Sequence, residues 1–574
     1  MTRSTWNTQP ATGEWNTTTN WTPAGVPTET AIFSDSSQTR ISFSSNGEAK
    51  VDNIEFSADA PAYTFTFGTA TTPLLTISGE GVSNRSQSYQ SFIIAATSSG
   101  YKQPQLKFTN QASAGSDNLF YCAGPVSAQE AGGGVISFCD NATAGSASFK
   151  VWTGAAAPPA HSTVGGEVSF SDNATAGTAR FIIYGTLGSD GDTFGNTVFH
   201  DTATADHATF TNVGGTVSGG DGGNTQFYGN STAAYGTFNN YGGTYSKANG
   251  GDVAFDGTAN GGYGYFYNHA AKAAGAYGGV TSFNNNPPEM AAQGASAGNG
   301  AYFNYGARGE AQGGGGHIEF SAKYGSPTAA NGCFYNYGSE IEGKSSAGHT
   351  IFSISLPSDH FPTAANGTFY NHPAASAKGA AGFTTFSVYG TGSCGSNVPT
   401  AGNGTFINLG AEIPGASGGY TLFSGATSAG NAKLIAYGGS NGGYGGQIVF
   451  YDNASGGTAS VALFGNGELN IGDHTNGLTI GSLDLNGGVI SLQLGANPTG
   501  LRVTGELKLN SNFATFSFWK KDHGGFAFNT PYTILSSANL SSYTPAQFSG
   551  NSMDGVEPTF AIVGNELQVS FLQD

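Results

Sequence analysis

The chain has 574 residues and a formal net charge of -18, from 37 acidic and 19 basic side chains. That balance excludes nucleic acid and anionic membrane surfaces as electrostatic partners, and no apolar run is long enough to span a bilayer. Gly at 91 residues and charged side chains at 10% could signal disorder, but aromatics reach 12% and recur in register, which a disordered chain has no reason to maintain.

The chain opens on polar sequence, Met1-Thr2-Arg3-Ser4, so no secretory leader is expected in it; an exported protein would be present as its mature or trimmed form. Residues 1–104 differ in texture from the remainder of the chain. Three of the five tryptophans, Trp6, Trp15 and Trp21, fall at the start. A repeat array needs its first coil covered against edge-to-edge growth, and these rings would supply the cover. The competing reading is an aromatic platform for carbohydrate. TAIFSDSS, TRISFSS, VDNIEFSA and YTFTFG read as short alternating strands.

Residues 105–465 form a regular array. Phe138, Phe170, Phe199, Phe227, Phe255, Phe283, Phe320, Phe352, Phe386, Phe423 and Phe450 recur at intervals of 27 to 37 residues. A second column accompanies the first: Phe149, Phe181, Phe210, Phe238, Phe266, Tyr302, Phe334, Phe369 and Phe406, then Leu434 and Val461. Such units cannot bury an apolar face alone; stacking one on the next does. The expected fold is all-β, a single elongated right-handed parallel β-helix with coils of about 28–37 residues, capped at both ends. Each repeat is read as one coil, because the 11 residues between columns in the regular units are too few for a closed coil of three strands.

Two residues beyond the second-column ring lie Asn212, Asn240, Asn268, Asn304, Asn336, Asn371 and Asn408. Period-2 alternation puts them on the face of the rings. Stacked inward, their amides would hydrogen-bond along a ladder; the alternative is an exposed turn asparagine that tolerates left-handed dihedrals. Four successive units lengthen one corner, at residues 284–302, 321–334, 353–369 and 387–406. Inserts on neighbouring coils would form a ridge, a candidate binding surface carrying Pro287, Pro288, Tyr324, His360, Phe361 and Asn397. Prolines in the inserts would restrict the loops, and His360 and Phe361 read as an exposed aromatic pair. Neutral drift in loop length is the competing account.

Residues 466–574 shift to Leu, Ile and Val, as in GLTIGSLDLNGGVISLQLG and GLRVTGELKLN, and read as tighter coils of roughly 20 residues with a closing set of strands. The opening WN…NWTPAGVP…TAIFSD, the segment LTIGSLDLNGGVISLQLG…LRVTGELKLN and the close YTILSS…PTFAIVGNELQVSF resemble bacterial autotransporter-associated β-strand repeat proteins. The resemblance implies a secreted right-handed β-helix passenger at the cell surface. The chain departs from that group in ending at Asp574 without barrel strands or an apolar sorting tail.

Four cysteines show no metal spacing. Cys122 is expected to share an inward face with Phe120 and Cys139 to point out, so a bridge between them is disfavoured; Cys333 and Cys394 are slightly better partners, and free thiols remain open. Asp190, Asp192, Asp201 and Asp206, near His200 and His207, form the densest acidic stretch. They could meet as a Ca²⁺ site or a glycosidase pair, or serve as ordinary solvated turn residues. Sequons at Asn141, Asn173, Asn230, Asn366, Asn403 and Asn453 arise by chance in such a composition. The expected function is that of a non-enzymatic extracellular structural or adhesive surface protein, without cofactor, that self-associates as a fibre or layer or displays loops to a carbohydrate or surface ligand. The alternative is a polysaccharide lyase or hydrolase on the same scaffold.

Overall fold

The computed structural model describes residues 3–43, 47–68, 73–95, 103–116, 118–124, 133–153, 165–186, 194–284, 294–322, 325–355, 359–390, 397–495, 500–511, 513–520 and 525–573. The fold is an all-β solenoid, 44% strand and 2% helical, with mostly parallel pairing. The chain forms two compact units, 1–282 and 283–574.

One repeat is one coil. Strand Asn224–Phe227 pairs in parallel with Asp252–Phe255, and Thr237–Asn240 with Tyr265–Asn268, each against its counterpart one repeat later. The two strands of a coil end on the first-column Phe and on the Asn; we call them the phenylalanine strand and the asparagine strand. Between them a single bridging residue pairs with the same position in the next coil, as in Thr175–Thr204–Thr232. Its hydroxyl turns the chain: Thr232 Oγ1 accepts the Ala234 N–H at 3.0 Å, and Ala234 takes a left-handed φ of 46°. Polar side chains that bond the backbone two residues on favour such a corner.

Inside the coils the first-column rings lie nearly parallel, 4.7 Å apart for Phe170 and Phe199 and 4.6 Å for Phe320 and Phe352. Second-column rings do the same, and the two columns meet edge to face, at 76° between Phe170 and Phe181. The spacing is the inter-strand distance of a β-sheet, so register alone places each ring over its neighbour. Offset-parallel and edge-to-face pairs are the arrangements aromatic quadrupoles favour. The columns extend further than the sequence reading placed them: the first includes Phe108, and the second runs back through Tyr121 and Phe92 to Phe65.

Tyr121 also corrects one face assignment. It aligns with Phe92 and Phe149, so Leu119, Tyr121 and Ala123 point inward and Phe120 and Cys122 point outward. Cys122 is nevertheless covered, with 3% exposure, and burial pushes its thiol up to about 12. Cys122, Cys139 and Cys333 are free thiols; Cys394 lies outside the described residues.

At the start of the chain Trp6, Trp15 and Trp21 are buried to 1% exposure or less. Trp21 meets each of the others edge to face at 5.0 Å, and Phe33 packs beneath them. These rings close the core of the first coils, and a carbohydrate platform at this place is overturned because no ring face is open. Toward the other end the coils tighten, with Ser460 pairing Ser482 and Leu483 pairing Leu507. Strands Tyr532–Ser537, Glu566–Phe571 and Pro558–Val563 then turn antiparallel.

Candidate functional site

The seven asparagines are fully buried. In the first unit Asn212 Nδ2 donates to Asn240 Oδ1, and Asn240 Nδ2 to Asn268 Oδ1, both at 2.8 Å. In the second, Asn304, Asn336, Asn371 and Asn408 form the same chain at 2.8 to 2.9 Å. On five of the seven, a second acceptor site on Oδ1 takes a threonine hydroxyl from the following phenylalanine strand, as Thr225 does on Asn212 and Thr384 on Asn371; Val253 and Ile318 stand at that position after Asn240 and Asn304. The sequence reading missed these threonines; their signal is a Thr two residues before the first-column Phe, in NTQF, VTSF, HTIF, FTTF and YTLF. Where the run stops, polar atoms are stranded. Asn408 pairs with Ala436 rather than another Asn, and its Nδ2 is buried with no hydrogen-bond partner. Thr197, which follows Ile183 in the Asn position, keeps a buried hydroxyl with none either.

A glycine sits against the rungs at Asn212, Asn240, Asn304, Asn336, Asn371 and Asn408. A Cβ on Gly279 would lie 2.0 Å from Asn240 O, and one on Gly419 would lie 2.0 Å from Asn371 O. The Gly preceding each phenylalanine strand therefore lets the returning arm reach the ladder backbone.

The same alternation that sends Phe and Asn inward sends their neighbours out. Along one strand and its flanks Tyr263, Tyr265, Tyr267 and His269 alternate with inward Phe266 and Asn268. Tyr235 stacks on Tyr263 at 5.3 Å and Tyr241 on His269 at 4.5 Å; Tyr235, Tyr263 and Tyr265 are about half exposed, at 52%, 54% and 47%. In the second unit Phe303, Tyr335 and Tyr370 form one outward stack at 5.0 Å spacing. Tyr305, Tyr337 and His372 form another beside it, at 5.3 and 4.5 Å. Partial burial raises the Tyr337 pKa, and burial together with the nearby Arg308 cation lowers that of His372. At the preceding corner Asn299, Asn331, Asn366, Asn403 and Asn431 make an exposed amide ladder, with bonds of 3.1 to 3.4 Å. Period-2 aromatics in YGYFYNH, AYFNYG, CFYNYG and TFYNH carry the signal for these faces, which the sequence reading did not use.

Of the ridge residues, Pro287, Pro288 and Tyr324 lie outside the described residues. His360, Phe361 and Asn397 are half-buried rather than openly displayed. They lie where inserts of successive coils touch: the Phe361 N–H donates to Ser326 Oγ at 3.3 Å, and Asn397 Nδ2 to Asp359 O at 3.2 Å. Pro327, Pro362 and Pro399 are buried or half-buried, and their carbonyls accept N–H bonds from Thr363, Thr400 and Ser428 of the following coils. These prolines belong to the coil wall and do not stiffen loop tips. Asp201 does not join Asp206: its carboxylate accepts the Asp172 N–H in a row with Asp140, whereas Asp206 pairs with His207 at 2.6 Å. Asp190 and Asp192 lie outside the described residues. Among the described residues no group of three or more His, Cys, Asp or Glu side chains is placed to hold a metal ion.

Compared with models of known protein families and with curated proteins, the chain matches none.

Proposed function

We propose that the chain is a non-enzymatic adhesive and structural protein of the cell surface. In this reading the coils are a rigid scaffold and their outer columns hold a repetitive polymer such as a polysaccharide. One observation carries the reading: two outward stacks of three rings each stand side by side in the second unit, on the same coils as an exposed amide ladder. The stacked rings present their edges and tyrosine hydroxyls outward, and these, with amides at the coil spacing of about 4.8 Å, suit the hydroxyls of a sugar chain. The ring ladder is held from behind by the buried asparagines, so little order is lost on binding. The resemblance of the chain's ends to secreted passengers supports a place outside the cell.

Self-association belongs to the same reading. Strand Pro558–Val563 is the last strand of its sheet, pairs only with Glu566–Phe571 among the described residues, and carries no charge. Thr559, Ala561 and Val563 are exposed, and an uncharged open edge is a template for a second copy.

The test is co-sedimentation with insoluble polysaccharides and with cells, followed by assay of the supernatant for new sugar ends. Retention that weakens about tenfold on replacing Tyr335 and Tyr337 together by Ala, without product release, is expected. Release of soluble product, or retention indifferent to those rings, would contradict it.

A further inference from the structure

A second and chemically different surface lies on the first unit, over the asparagine-strand positions of its early coils. Ser91, Phe120, Ser148 and Arg180 are Cα partners in successive coils and form one outward column. Lys150 stands in the adjacent column, and Tyr89 leans in from the corner with 69% exposure. Together they line a cleft of about 440 Å³, within the size range of small-ligand sites.

The charges are the unusual feature. The chain has 19 basic residues against 37 acidic ones, yet two cations here face a mostly apolar cleft. Among the described residues neither Lys150 nor Arg180 forms an ion pair. Lys150 Nζ lies 5.6 Å from the centre of the Phe120 ring, so part of its charge is held over an aromatic face. An acidic protein that leaves an arginine and a lysine without carboxylates, beside open rings and two serine hydroxyls, has the elements of an anion receptor. The guanidinium fork matches a carboxylate in plane, the ammonium adds a point charge, the rings of Tyr89 and Phe120 offer apolar faces, and Ser91 and Ser148 offer hydroxyl partners.

We propose that this cleft binds an acidic sugar, a pyranose bearing a carboxylate, with the acid group between Arg180 and Lys150 and the ring against Tyr89 and Phe120. The site is independent of the ring stacks of the second unit and names a ligand class of its own.

The full chain is titrated calorimetrically with a linked uronic acid trisaccharide, its neutral methyl ester and a sulfated neutral trisaccharide of equal length. The acid is expected to bind, the ester to bind at least about tenfold more weakly, and affinity to fall with added salt. Arg180→Ala and Lys150→Met should each weaken the acid about tenfold and barely change the ester; Tyr89→Ala should weaken both. Arg180 and Tyr89 are exposed, so those variants test binding without disturbing the core, and an unchanged melting temperature verifies each protein. Equal binding of acid and ester, no binding at millimolar concentration, preference for the sulfated sugar, or wild-type affinity in Arg180→Ala would each overturn the proposal. Cleavage of the acid would leave the site standing and overturn the non-enzymatic reading instead.

Discussion

Each asparagine of the ladder serves two neighbours, so its worth depends on its place in the run. Asn371 accepts from Asn336 Nδ2 and from the Thr384 hydroxyl and donates to Asn408 Oδ1. Replacing it by Ala removes three buried hydrogen bonds, although Asn336 Nδ2 keeps its bond to Thr384 Oγ1 and Asn408 Oδ1 keeps the Thr421 hydroxyl. A buried hydrogen bond is worth about 1 kcal/mol net, so Asn371→Ala should destabilise the second unit by roughly 3 kcal/mol. Asn408 already carries a buried Nδ2 without a partner. Asn408→Ala removes that penalty along with two accepted bonds, and should cost clearly less than Asn371→Ala. Chemical denaturation of the two variants checks the order; equal losses would mean that the ladder does not act as a chain. The inward place of these amides is readable from period 2 alone, since they sit two residues past a ring. The threonines that complete them escape that argument, because hydroxyls are common on either face of a strand and only the preceding coil tells which are bonded.

At the scale of the strand, outward columns in the second unit reproduce the packing of the core. His317, His349, Phe383 and Tyr420 stack in register at 4.9, 4.7 and 5.0 Å. His349 is buried, and its Nδ1 lies 2.8 Å from Ala347 O. Burial above all, with the neighbouring His317, pushes its pKa from 6.5 down to about 3. The unfolded chain thus takes up a proton near its ordinary value while the folded one does not. Stability should fall as pH drops from about 6.5 toward 3 and level off below, by at most about 1.4 kcal/mol per pH unit from this group. Glu319, whose carboxylate is favoured mainly by a hydrogen bond from His317, adds acid lability only below its ordinary 4.5. Burial also holds His269 and His372 below their ordinary value, so they add acid lability of the same sign. His349→Phe, the residue of the next coil at this position, should retain the stack and flatten the dependence between pH 6.5 and 4.5. Thermal melts across that range decide it; an unchanged slope would place the acid sensitivity elsewhere. Such columns were hard to read from sequence because outward positions vary between coils, from Glu167 and Asn196 to His349 and Tyr420, whereas burial holds the inward ones to Phe. The misassigned face of Phe120 has a related cause: Leu119–Ala123 is apolar throughout, and only pairing of Tyr121 with Phe149 sets its phase.

For the molecule as a whole, one relation underlies the rest: each repeat is one coil laid in parallel register on the last. The inner columns, the amide ladders, the outward ring stacks and the cationic cleft all depend on it, since each is built from side chains one repeat apart. Tryptophans at the start of the chain and antiparallel strands near its close interrupt that relation. Register can be tested by covalent capture. Ser321 and Ser353 are Cα partners on adjacent coils with hydroxyls 3.4 Å apart, and strands spaced about 4.8 Å fall within disulfide reach. With the four native cysteines replaced by Ser, the pair Ser321→Cys and Ser353→Cys should close under mild oxidation. The pair Ser321→Cys and Ser355→Cys, about 8 Å apart by the same spacing, should remain reduced. Mass spectrometry of the non-reduced peptides reads both results directly; a shifted pair that closes as readily as the aligned one, or an aligned pair that stays reduced, would contradict one coil per repeat.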